Sequence, residues 1–222
     1  MEHIVKSFDQ ELGDLKDTVL KMGVLVQELI IKSVDALKTR NQDMAKEVIK
    51  KDEGVDHLEL EIDEKCISMI ALRQPKAGDL RFIMAATRVA TDLERIGDLA
   101  EDIAERAIEI SGQELIKPLV DIPKMAKFAQ DSVALALDAF IHSDPKLASK
   151  VWEIEKEVDG LRDSIQNELQ EIMVSDSNLV SRALPLILVA RHLERICDHA
   201  TNIVEDVTYM ADARVIKHHS KE

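Results

Sequence analysis

The chain contains itself twice. Shifted by 100 positions, residues 88–105 fall on residues 188–205 with ten of eighteen pairs identical, among them Leu93/Leu193, Glu94/Glu194, Arg95/Arg195, Ile96/Ile196 and Asp98/Asp198. A shift of 103 aligns the stretch ahead of it, pairing Asp35 with Asp138, Asn41 with Asp144, Ala45 with Ala148, Asp52 with Glu155, Val55 with Val158 and Asp56 with Asp159. Self-similarity at a fixed long period marks one supersecondary unit built more than once. The three-residue change in shift falls in a loop, where altered length costs little closure entropy. Whatever the first half folds into, the second half has to fold into as well.

That unit is helical. Apolar residues recur at the spacing of a helix face from end to end, and Gly and Pro number only 7 and 5 in 222 residues, too few for a turn-rich fold. The punctuation predicts helices over 5–39, 42–73, 79–111, 123–142, 145–174 and 178–212. Asn41, Asp79 and Asp144 read as N-caps, and Pro145 stands at a first helical position where its missing N–H is not needed. The segment from Gly112 to Pro123 reads as a central linker. Pro185, opposite Ala85 of the first half, predicts a kink near residue 181. The expected fold is all-α: two tandem, pseudo-symmetric three-helix bundles, six long helices in all, with units at 1–112 and 113–222. Aromatic residues make up only 3%, so Leu, Ile, Val, Ala and Met must fill the core and the helices can approach closely.

Charge narrows the partners. A formal net charge of −14 opposes binding to nucleic acid, which relies on Lys and Arg neutralising phosphates. It opposes anionic membrane surfaces for the same reason. The longest apolar run, Ala183 to Ala190, is far too short to span a membrane, and Met1 to Lys6 holds no signal-like run. Cys66 and Cys197 lie too far apart for a CxxC site and suit a reducing compartment. A cytoplasmic location is therefore expected, with membrane association only through a partner.

Four acidic pairs recur at i, i+4: Asp52/Asp56 and Glu94/Asp98 in the first half, Glu155/Asp159 and Glu194/Asp198 in the second. Like charges so spaced face each other on a helix and cost about 0.2–0.5 kcal/mol per pair. One such pair can be a solvated helix face. Both pairs recurring at equivalent places in both halves suggest a cation that offsets the repulsion. Carboxylate oxygens are hard donors suited to iron, manganese, magnesium or calcium, with zinc also within reach. Projected at 100° per residue, Glu94 and Asp98 flank the stripe of Ala90, Leu93, Gly97, Ala100 and Ala104, which predicts a surface site rather than a buried pocket.

The segments Leu72-Arg73-Gln74-Pro75, Leu93-Glu94-Arg95-Ile96-Gly97-Asp98 and Ala190-Arg191-His192-Leu193-Glu194-Arg195-Ile196-Cys197-Asp198-His199-Ala200 closely resemble the PhoU family. So do Phe8-Asp9-Gln10-Glu11-Leu12 and Asn202-Ile203-Val204-Glu205, so that the likeness runs over nearly the whole chain. The resemblance implies a homodimer that represses the phosphate-starvation response together with a phosphate transporter ATPase and a membrane sensor histidine kinase. It also implies surface clusters of iron or zinc, held here by Asp52, Asp56, Glu94 and Asp98 and by Glu155, Asp159, Glu194 and Asp198. Asp102 would extend the first site by a turn, while the second half offers Asn202 in its place, an amide that ligates without charge.

The remaining residues read more simply. Arg95 and Arg195 are set for i, i+3 ion pairs with Asp98 and Asp198, His199 for a solvated position, and Cys197 for a small buried core residue. Trp152 and Tyr209 read as packing anchors. No Gly-rich phosphate loop and no HExxH occurs, and the reading is non-enzymatic. The rival is a ferritin-like carboxylate-bridged di-iron enzyme or metal store, but such sites use Glu-x-x-His, and no His stands three residues after any Glu.

Overall fold

The computed structural model describes residues 2–213, with side chains from residue 7 onward. The rest of the second predicted unit, 214–222, lies outside the described residues. Six helices carry the chain: α1 Glu2–Thr39, α2 Gln42–Arg73, α3 Ala77–Ile110, α4 Asp121–His142, α5 Ala148–Ser175 and α6 Val180–Asp212. Among the described residues there is no strand, and no helix is long and apolar enough to cross a membrane.

The repeat is visible in the backbone. Arg40 and Ser143, equivalent under the shift of 103, both turn into the left-handed region, at φ 55° and 51°. The N–H groups of Asn41 and Asp144 then donate to Ala36 O and Ala139 O, each at 3.0 Å, while those of Arg40 and Ser143 donate to Leu37 O and Phe140 O, each at 3.3 Å. These are two copies of one Schellman turn, which satisfies the orphan carbonyls of a helix end. The predicted caps follow: Asn41 accepts from the N–H groups of Asp43 and Met44, and Asp144 from that of Lys146.

Three details differ from the sequence reading. Helix α3 begins two residues early, at Ala77 behind Lys76, so Asp79 lies in the first turn instead of capping it, where its charge still suits the helix dipole. Pro145 opens a 3₁₀ turn, Pro145–Leu147, and α5 proper starts after it. The last helix starts at Val180, after a second 3₁₀ turn, Ser177–Leu179, capped by Asp176, and Pro185 lies within it as the sequence places it.

Helices α1, α2 and α3 pack on one another, as do α4, α5 and α6, and the halves meet through α3 against α6 and α1 against α4. Helices α3 and α6 run antiparallel, with Arg88 paired to Asp206 at 2.8 Å and Arg81 donating to Met210 O at 3.2 Å. Six alanines and Gly97 are buried along α3, which lets its neighbours come close. One contiguous apolar core runs through both halves, and helices α2 and α5 lie outermost, each neighbouring only helices of its own half.

Two of the few aromatics meet at the join. Phe82 of α3 stacks on the fully buried Phe140 of α4 with centroids 5.1 Å apart. Replacing Phe140 with Ala should cost about 3–5 kcal/mol in urea unfolding. Val174→Ser, at a fully solvated position, should stay within about 0.5 kcal/mol of wild type. A Phe140→Ala loss no larger than that of Val174→Ser would contradict the shared core.

Candidate metal centre

Helix α2 carries Asp52, Asp56 and Glu59 on the side facing α3, and α3 answers with Glu94, Asp98 and Glu101. One oxygen from each of Asp52, Asp98 and Glu101 lies within 4.8 Å of the other two. Gly97 makes this possible. A Cβ there would stand 2.5 Å from Asp52 Oδ1 and 3.2 Å from Val55 Cγ1, so any side chain would have to displace the Asp52 carboxylate and crowd Val55.

The centre is therefore less exposed than the helix projection predicts. Asp52 is only 5% exposed, because the missing side chain at Gly97 draws its carboxylate into the groove between the helices. Its Oδ1 is buried without a hydrogen-bond partner among the described residues, as is Glu94 Oε2, which has an ion pair to Arg95 Nε at 3.3 Å. Unpaired buried oxygens cost free energy. Burial, then Asp56, Glu101 and Asp98, push the Asp52 carboxyl up to about 7. Glu94 and Glu101 are also raised, in both cases first by burial and then by an acidic neighbour, Asp98 for Glu94 and Glu105 for Glu101. All three shifts favour the neutral, protonated carboxyl over the charged one.

The second half differs residue by residue. Cys197 takes the place of Gly97 and is fully buried, its thiol pushed up by burial and by Asp198. Glu155, longer than Asp52, reaches past it and accepts from Thr201 Oγ1 at 3.0 Å, where the first half has Glu101. Arg162, at the position of Glu59, bonds Glu194, Asp159 at 3.1 Å and Asp163 at 2.9 Å. Asp198 keeps an exposed edge, yet protein atoms around its carboxyl, then Glu194, Glu155 and Asp159, push it up to about 6.

The two turn-extending residues point elsewhere. Asp102 Oδ2 lies 3.7 Å from His192 Nδ1 on α6, and Asn202 donates to Asp92 on α3 at 3.3 Å. Both sit on the α3–α6 seam, outside the convergent trio. The same Asp92 oxygen lies 2.8 Å from His199 Nδ1, so His199 is half-buried and paired rather than solvated. Arg95 makes its pair with Asp98 at 2.9 Å, whereas Arg195 makes no ion pair among the described residues. Sequence reasoning passed over Glu101, although Glu94, Asp98 and Glu101 follow the i, i+4, i+7 rhythm of a single helix face. It also passed over Arg162, whose signal is the sign reversal against Glu59.

A carboxyl raised in the folded state binds its proton more tightly there than in the unfolded chain. Between the ordinary value of 3.8 and about 7, stability therefore falls as pH rises, and the full cost of Asp52 is present above that window. The metal-free Asp52→Asn variant should melt several degrees above wild type at pH 8, with that advantage shrinking as pH falls through the window and gone only below its lower end. An advantage independent of pH would show that Asp52 is not the strained acid.

The chain matches the PhoU domain twice, over residues 19–107 and 122–207. A phosphate-specific transport system accessory protein PhoU homolog of Aquifex aeolicus is 44% identical over 214 residues, covering 96% of this chain and 97% of the relative. The phosphate-specific transport system accessory protein PhoU of Escherichia coli is 33% identical, covering 98% and 90%. In structure, the chain is similar to crystallised PhoU of Pseudomonas aeruginosa, with a TM-score of 0.88 at 38% identity over 93% of this chain and all of that one. The phosphate transport system regulatory protein PhoU of Streptococcus pneumoniae gives 0.87 at 26% identity, over 95% and 99%. With two copies of the domain in register with its two halves, and relatives that match nearly end to end, the chain belongs to the PhoU family.

Proposed function

We propose that this chain is a non-enzymatic, metal-binding regulator of phosphate uptake. In this reading it acts in the cytoplasm as a homodimer and represses the phosphate-starvation response through a phosphate transporter ATPase and a membrane sensor kinase. The relatives' role as accessory proteins of phosphate transport supports the process. The net charge of −14 supports action through proteins rather than through DNA.

The metal reading is carried by one observation: Asp52, buried and with an oxygen lacking a hydrogen bond, aimed at Asp98 and Glu101. A cation of the iron or zinc class, or manganese or magnesium, fits a donor set made wholly of carboxylates. Asp52, Asp98 and Glu101 would hold it, with Asp56 and Glu94 beside them. Its charge would replace the proton on Asp52 and tie α2 to α3. A ferritin-like centre finds no support, because among the described residues no histidine joins the trio.

Two outcomes are expected. The Glu94→Ala, Asp98→Ala double variant should lose the metal of the first half, read by elemental analysis, with its circular dichroism unchanged, since removing repelling carboxylates strains nothing. Unchanged metal content would refute the ligand assignment. Deleting the protein should switch on phosphate-starvation genes in phosphate-rich medium, and that effect should require the sensor kinase. Repression that persists in cells lacking the kinase and the transporter would contradict the adaptor role.

A further inference from the structure

The two halves carry the same fold but different charge at the equivalent place. In the first half, Asp52, Asp56, Glu59, Glu94, Asp98 and Glu101 gather around the α2–α3 groove, and among the described residues Arg95 is the one cation paired with them. In the second half, Glu155, Asp159, Glu194 and Asp198 gather around the α5–α6 groove, and the guanidinium of Arg162 lies among them.

Arg162 is held on two sides. One terminal nitrogen faces Glu194 and Asp159, while Nε and the other terminal nitrogen both donate to Asp163, at 3.0 and 2.9 Å. The first half lacks both parts of this device, with Glu59 in place of Arg162 and exposed Leu60 in place of Asp163. The side chain of Arg162 is only 24% exposed, so the guanidinium is embedded in the cluster. A planar fork bonded to several carboxylates is pre-organised, and an ion taking Glu194 and Asp159 as ligands would have to break those bonds and face a positive charge. The third carboxylate is missing too, since Thr201 replaces Glu101 and turns its hydroxyl toward Glu155. The place of Gly97 is filled by Cys197.

We infer that Arg162 is the resident cation of the second half, and that it restricts divalent metal binding to the α2–α3 centre. This rests on the metal reading proposed above and adds the residue that sets which half binds. The pseudo-symmetric chain thus has one exchangeable cation site and one copy whose cation is a side chain of the protein itself.

The test uses the metal-stripped full chain and zinc alone, with binding read by equilibrium dialysis and elemental analysis and folding by circular dichroism. The Glu94→Ala, Asp98→Ala variant should lose essentially all zinc bound by wild type. Adding Arg162→Glu, which restores the carboxylate of the first half, should recover zinc binding at least roughly tenfold tighter than in that background, as expected for reversing a unit charge within contact distance of a divalent ion. Arg162→Gln removes the cation without adding a ligand and should recover a smaller part, which guards against a Glu variant that does not fold. If the double variant keeps about half the wild-type zinc, the second half binds metal despite Arg162 and the inference is overturned, with the first site left standing. If it loses the zinc but neither Arg162 variant recovers any, Arg162 is not the gate. Zinc content unaffected by the double variant would overturn the first-site reading and this inference with it.

Discussion

The α2–α3 contact turns on one carboxylate laid where carboxylates are costly. Asp52 sits against the backbone of α3 at Gly97, out of water and beside other acids. Taking such a group out of water disfavours its charged form, and neighbouring negative charge disfavours it further. A proton relieves this, and in the function proposed above a metal ion would relieve it as well. Both would act at the α2–α3 groove, so that under this proposal the same contact would govern pH response, ion uptake and how firmly the outer helix is held. The surrounding structure is arranged to permit that contact: small residues along α3 bring the helices close, and the seam with α6 fixes α3 from the other side.

The doubled architecture makes the energetics easy to read, because each half serves as the other's control. The backbone repeats down to paired Schellman turns at Arg40 and Ser143. The chemistry does not. Glycine becomes cysteine, Asp52 becomes the longer Glu155, Glu101 becomes Thr201, and Glu59 becomes Arg162. The changes supply partners within the protein for three of the second groove's four carboxylates: Thr201 serves Glu155, and Arg162 serves Glu194 and Asp159. The first groove leaves Asp52 Oδ1 and Glu94 Oε2 without hydrogen bonds among the described residues. An unsatisfied polar atom in one copy, with its counterpart satisfied in the other, is a sharper sign of an absent ligand than either half alone would give.

Much of this was legible in the sequence, for reasons that are local. Helix ends depend on caps and on Gly or Pro within a few residues, so Asn41, Asp144 and the six helices could be placed from spacing. The i, i+4 carboxylates were found by the same periodicity, and Glu101 was within its reach. Distance between helices was not. That Gly97 admits Asp52, that Asp102 and Asn202 face the α3–α6 seam, and that His199 meets Asp92 all depend on tertiary packing. Asp79 misled for a simpler reason: a helix preceded by Pro75 can begin without a side-chain cap, and Lys76 supplies none.

The most direct measurement is anomalous diffraction at the zinc edge from crystals of the full chain grown with zinc. The account predicts a peak between α2 and α3, bounded by Asp52, Asp98 and Glu101, with Arg162 still bonded to Glu194 and Asp159 in the other half. A peak of equal height among Glu155, Asp159, Glu194 and Asp198, with Arg162 displaced, or no peak beside Asp52, would contradict it.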